Sequence, residues 1–559
     1  MKKAWANRAL GLAVAVLLAA TSLLACAKPA TTATTSTATT SPRATASTTP
    51  KQTEPYGEMK IAMTTFGSEK FYPPTTEQGL LVTTLAPMYD LLFTLKGNDL
   101  GPNVIDKWVM APDALSWEYS VHPGIKFHNG DEMTAEDVAF SLEQYAAKDA
   151  MTSELKTAFD RATILDKYTL RVYTKGPQLD FPAFSMEISP SRGLVLPKKY
   201  LQQNGVPYFE QHPVGTGPFK FVKRTPGDNI SYEANTSYWR QPPAFKNLTI
   251  MLVPEETTSV AMLKTQMADV IEVGIETARA LPAPDYRTFV TQVFGSFILF
   301  HGTTLPSASK MPAADVRVRQ ALSLAVNREE IIKTMFYGQA SAPMPTNLSE
   351  ISQHVDTPRW KNYAASVLNV YDPEKARQLL KDAGYPQGFS IDIWTFTQQG
   401  APYLPSIAQV ISGYWAKIGV KGNIVPSDWG TFQKLARSQP VNSQLVGQTS
   451  IRRSDVGPFT RKNIASYYGS PASYPGYDAL LGDTRPDLDK VLAQGASEKD
   501  PEKVKELFSQ AIQMAADTGV LSMLVNAPGL GAAGPRVDIS FGRPQAITIA
   551  YAAAIAKHR

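Results

Sequence analysis

At 559 residues the chain is too long for one ordinary core and is expected to divide into at least two lobes. Hydrophobic residues make up 43% and charged residues 19%, an ordinary globular balance. A net charge of +5, with Lys and Arg dispersed rather than striped, argues against a nucleic-acid partner, and the single cysteine excludes an intrachain disulfide.

Lys2, Lys3 and Arg8 precede the apolar run Ala9 to Leu24, which ends in Leu23-Leu24-Ala25-Cys26. This is the layout of a targeting segment, and its end is similar to a bacterial lipobox. Residues 1–25 are accordingly read as a signal peptide and Cys26 as a lipidated first mature residue; an uncleaved anchor and an ordinary secreted chain are the alternatives. Residues 26–56 are rich in Thr, Ala, Ser and Pro and carry almost no large apolar side chain. Such a segment cannot offset its ordering entropy by burial and reads as a tether. No later stretch approaches the roughly 20 apolar residues a membrane helix needs.

The folded part opens with an alternating strand, Met59 to Met63, and a polar loop holding Thr65 and Phe66. Trp117, Tyr119 and Val121 alternate with Ser116, Glu118 and Ser120 as a half-buried strand, His122-Pro123-Gly124 breaks it, and Ile125 to Phe127 is expected to form a second short strand. Thr134 then caps a helix whose apolar stripe is Val138, Leu142 and Tyr145, with Glu136 and Asp137 at its positive end. His122 and His128 have no third ligand at fixed spacing, so a packing role is expected for both.

Trp117, Lys126-Phe127-His128-Asn129-Gly130 and Thr134-Ala135-Glu136-Asp137-Val138 closely resemble the signature of the family 5 extracellular solute-binding proteins, which serve ABC importers for oligopeptides, dipeptides, nickel chelates and some glycans. The resemblance continues through Gly215-Thr216-Gly217-Pro218, Asn235 with Tyr238-Trp239, Asp315 to Leu322, and Tyr371-Asp372-Pro373. It implies an α/β fold of two lobes of the periplasmic-binding-protein type II (Venus-flytrap) with an extra subdomain on the first. The expected division is lobe I at 57–295 plus 520–559, carrying an inserted subdomain at about 95–205, and lobe II at 296–519. It also implies a monomer outside the cytoplasm that hands a peptide or other small molecule to ABC permease subunits, with no cofactor and no metal.

Residue by residue, Gly215 to Pro218 reads as tight backbone packing, since no Lys-Ser/Thr helix start follows to make a phosphate loop. A strand at Phe297–Phe300 is expected to cross into lobe II, and one at Val520–Val525 to return. The arginine pair of Asp315-Val316-Arg317-Val318-Arg319 is expected to brace carboxylates, and Asp372 and Pro373 to start a helix that Gly384 ends. Ser390–Trp394, Ile407–Ile418 and Val420–Val425 read as strand, helix, strand. No hydrolase, metalloprotease, nucleotide or dithiol motif is present, so binding is favoured over catalysis.

The resemblance places the second-lobe wall of a solute site in two loops. The first holds Trp394, Phe396, Gln398, Gln399 and Tyr403; the second holds Gln448, Arg452, Arg453 and Asp455. Dipeptide-binding members clamp the peptide carboxylate with an Arg in the first loop and the α-ammonium with an Asp in the second. Here the matching places carry Gln398-Gln399 and Ile451-Arg452; with a small shift Asp455 supplies the acid. Arg452 and Arg453 would suit an anionic ligand, which leaves metal chelates and oligosaccharides open beside peptides, and a sensory surface receptor open beside a transport component. Thr65, Phe66, Trp394, Phe396 and Tyr403 complete the candidate wall.

Overall fold

The computed structural model describes residues 54–66, 69–76, 84–96, 99–151, 154–179, 181–185, 193–300, 303, 309–348, 354–396, 403–428, 431, 447–453, 486–539, 553 and 556–559. The signal segment, Cys26 and most of the tether lie outside these residues, as do Gln398, Gln399 and Asp455.

Strand β1 (Glu58–Met63) is buried on both faces from Ile61 onward, because it lies inside a sheet. A separate antiparallel sheet follows, built of β2 (Ile105–Met110), β3 (Ser116–Val121), β4 (Phe159–Asp166) and β5 (Thr169–Thr174) in the order β2-β3-β5-β4. Trp117, Tyr119 and Val121 are buried at the period of two that the sequence displays. Helix α1 (Ala135–Ala146) packs on β4. At its start the Asp137 carboxylate accepts the Thr134 N–H at 2.9 Å, the Thr134 hydroxyl at 3.1 Å and the Lys198 N–H at 3.0 Å. Val138, Leu142 and Tyr145 are its buried stripe.

Ile125–Phe127 does not form the expected strand. Turns at Gly124 (φ 83°) and Gly130 (φ 91°) leave too few residues between them, and only an isolated bridge, Lys126 to Glu132, remains.

Among the described residues the main sheet has ten strands. To β1 it adds β6 (Phe219–Thr225), β7 (Asn229–Ala234), β8 (Asn247–Leu252) and β9 (Val270–Val273), then, past the short helix α2 (Ile275–Ala280), β10 (Arg287–Leu299). Helices α3 (Val316–Leu324) and α4 (Arg328–Met335) precede β11 (Ser390–Thr395), α5 (Leu404–Ala416), β12 (Lys421–Pro426) and β13 (Gly447–Arg453). Helix α6 (Pro501–Asp517) leads into β14 (Leu521–Ala533), and the strand order is β12-β11-β13-β10-β14-β9-β1-β8-β7-β6.

Two 13-residue strands, β10 and β14, hold the molecule together. At about 3.3 Å per residue each spans roughly 40 Å, enough to enter two cores. Ile298, Leu524, Val525 and Ala527 belong to the core built on α3 and α5, whereas Ala532 and Ala533 belong to cores built on β1 and β9. The crossing strand expected at Phe297–Phe300 therefore begins ten residues earlier, at Arg287. Its mixed polar and apolar sequence, RTFVTQVFGSFIL, carries no local mark of where one lobe stops.

The arginine expectation holds for one residue of its pair. Arg317 engages the Asp315 carboxylate, but Arg319 is 5% exposed and donates to the carbonyls of Ala313, Ala314 and Thr518. A guanidinium fork satisfies the orphan carbonyls of helix ends, and here three such carbonyls lie within its reach.

Candidate functional site

Strand polarity locates the site. β1 runs parallel to β8 and β9, and β9 lies antiparallel to β14 from Val270 opposite Ala533 to Val273 opposite Leu530. From Leu530, β14 continues backward through Gly529 and Pro528 into the other lobe. There β13 pairs with β10 from Arg453 opposite Phe294 to Gln448 opposite Leu299, and runs parallel to β11, which runs parallel to β12. The carboxyl ends of the parallel strands in the two lobes therefore point at each other. Carboxyl ends of parallel strands are where open α/β sheets bind ligands, because loops and unpaired N–H groups converge there.

Between these ends the crossing strands carry a β-bulge. The register of β10 on β14 shifts between Val290 and Gln292, leaving Thr291 as the extra residue opposite Leu530 and Gly529. A bulge bends its strand and breaks the ladder. It falls where β14 leaves β9 and before β13 joins β10, in the stretch with the fewest lateral partners.

On the first rim, Thr64 donates its N–H (3.2 Å) and hydroxyl (2.8 Å) to the Glu272 carboxylate on β9. This pins the loop that carries Thr65, half-buried, and Phe66, whose ring is 2% exposed and packs in the lobe core. On the opposite rim Trp394 is half-buried beside Gln448 in the sheet register, and Phe396 is 2% exposed. Tyr403 opens α5. Its hydroxyl accepts a hydrogen bond from Ser296 Oγ at 3.1 Å, its ring meets Phe336 edge-on at 5.0 Å, and burial pushes the phenol above its usual pKa. Arg452 and Arg453 end β13, opposite Gly295 and Phe294, the part of lobe II nearest the bulge.

Of the candidate residues that lie among the described ones, Thr65 falls on one rim and Trp394, Tyr403, Gln448, Arg452 and Arg453 on the other, with Phe66 and Phe396 buried behind them. Glu272, Ser296 and Phe336 were missed. A strand-borne glutamate and serine carry no local signal, and only the register of β9 and β10 brings them to the rims; Phe336, at the end of α4, is placed by its edge-on contact with Tyr403.

The site's setting agrees with comparison to known proteins. Residues 99–460 match the model of the bacterial extracellular solute-binding proteins, family 5. The chain belongs to this family. Its members are extracytoplasmic binding proteins of ABC transporters, not enzymes. This family 5 chain is 26% identical over 456 residues to the dipeptide-binding protein of Escherichia coli, covering 76% of this chain and 81% of that protein. It is 28% identical over 393 residues to heme-binding protein A of Haemophilus influenzae, covering 64% and 68%. The fold is that of the dipeptide-binding protein of Pseudoalteromonas sp. SM9913 in complex with Met-Leu, with a TM-score of 0.74, 20% identity, 90% of this chain and all of that one covered. The two-lobed architecture implied by the sequence is thereby established.

Proposed function

We propose that this family 5 protein captures a peptide or peptide-like solute between the two rims and delivers it to an ABC permease, held at the membrane by a lipid on Cys26. The observation that carries the reading is the facing of the parallel-strand ends across the bulged pair β10 and β14. A solute that touches both rims gains its full contacts only when the lobes approach, so binding and closure stabilise each other. The dipeptide-binding relatives support a peptide.

Thr65, Trp394, Tyr403, Gln448, Arg452, Arg453 and Asp455 form the proposed solute wall, with Gln398 and Gln399 in the loop between Phe396 and Tyr403. Two uncharged glutamines stand where a dipeptide receptor places its carboxylate clamp, while Arg452 and Arg453 suit an anionic ligand, and together these favour a second reading: an anionic metal chelate or an oligosaccharide. Mass spectrometry of the solute co-purifying from the native host separates the two. Peptides support the first reading. A chelate or glycan replaces it by the second, and a solute altered during incubation removes both.

A further inference from the structure

The geometry points to Tyr337 as a positioning residue for solute affinity: a latch that holds the lobes together from outside the solute wall. Tyr337 follows α4 in lobe II, and α2 belongs to lobe I, where Ala278 packs with Ala62 and Ile271. The Arg279 guanidinium of α2 lies over the Tyr337 ring, 3.9 Å from its centroid, and the Tyr337 hydroxyl donates to Glu276 Oε1 at 3.3 Å. Beneath them Ile275 of α2 packs on the lobe II core. One side chain of lobe II is thus held by two charged groups of lobe I, beside the contacts that α2 and α4 each make with the crossing strand β14.

The backbone shows that the placement is specific. Tyr337 has φ 50° and Gly338 φ 78°, so a bulky residue occupies the left-handed region that glycine prefers, and the turn projects its ring toward α2. The preceding residue, Phe336, is buried and meets Tyr403 edge-on. Tyr403 in turn takes the hydrogen bond from Ser296 on β10. A continuous set of contacts therefore joins the proposed solute wall to the latch, and a change at Tyr403 is felt at Tyr337 through one ring. Breaking the latch frees the lobes to separate and lowers the share of molecules ready to hold solute.

Interlobe distance in the unliganded protein tests this directly. Spin labels at Lys223→Cys on β6 and Lys381→Cys in lobe II, in the full chain with Cys26→Ala, report the separation by pulsed electron resonance; both positions are exposed. Tyr337→Ala should raise the ratio of long to short distances by about two- to fivefold, the scale set by one exposed cation–π contact. Arg279→Ala, a surface change that leaves the fold alone, should do the same, and Tyr337→Phe should do less. An unchanged distribution, or a shift to shorter distances, in both Ala variants overturns the latch. The affinity arm rests on the solute-binding reading. Calorimetry with Met-Leu should show affinity weakened by up to the same factor, and unchanged affinity beside altered distances refutes the link to solute. Absence of Met-Leu binding in the parent counts against the peptide reading, and the distances still decide the latch.

Discussion

Arg328 is the most exacting test of how lobe II is held to the crossing strands. It is 1% exposed, and its guanidinium makes five hydrogen bonds to neutral oxygens: Met523 O (2.7 Å), Ser323 Oγ (2.9 Å), Ser323 O (3.1 Å), Ser522 Oγ (3.1 Å) and Val326 O (3.3 Å). Met523 adjoins the second register shift of β10 on β14, so this side chain fastens α4 to the irregular part of a crossing strand. Burial lowers its pKa from the usual arginine range to about 10. At neutral pH the group is charged in both folded and unfolded states, so the burial cost, about 3 kcal/mol at ~1.4 kcal/mol per pKa unit, is constant there and lessens only as pH rises above about 10. Against it stand bonds to a charged donor at roughly 1.5–3 kcal/mol each, not fully additive. Arg328→Met keeps the volume, relieves the burial cost and orphans several oxygens. The expected net loss is about 3 kcal/mol, read as a lower urea midpoint at unchanged m-value, followed by tryptophan fluorescence, to which the buried Trp415 of the same core contributes. A variant within about 0.5 kcal/mol of the parent would refute the reasoning, because relief of the burial cost would then have cancelled every bond.

Gly217→Ala should destabilise by about 3 kcal/mol or more in the same assay, because its Cβ would meet Tyr89 N at 2.4 Å and Met88 C at 2.5 Å, backbone that cannot swing aside. His128 is held neutral, its pKa lowered to about 4 by burial, with Nε2 against Gly217 O at 3.0 Å. Since the unfolded chain takes up the proton first, its stabilising term is whole above about pH 6.5 and falls away as pH drops towards 4, by at most ~3 kcal/mol; His128→Gln should flatten that part of the stability–pH curve. Deleting Thr291 should remove the bulge between the lobes and stiffen the crossing pair, seen as a narrowed distribution of interlobe distances with secondary structure retained by circular dichroism.

Features set by neighbouring residues were legible in the sequence. Asp137 closing onto Thr134, Asp315 and Asp372 capping their helices, and the alternation of Trp117, Tyr119 and Val121 are all decided within a few residues. The tight backbone of Gly215 and Gly217 was also readable, because small residues flanked by prolines announce close approach; their Cβ atoms would meet Met88 O at 2.1 Å and Tyr89 N at 2.4 Å. What stayed hidden depends on partners far along the chain. Arg328 lies 195 residues from the carbonyl it binds on Met523, Glu272 lies 208 from Thr64, and Tyr337 lies 61 from Glu276. The candidate rims follow from the family resemblance, and strand register gives the reason the strand ends that carry them face one another.

The most direct test is a crystal structure of the protein with the solute that co-purifies from its native host. The account predicts that solute, chemically intact, between the loop after β1 and the ends of β11 and β13, touching both lobes. Solute bound to one lobe alone, or found outside the space between the strand ends, would contradict it.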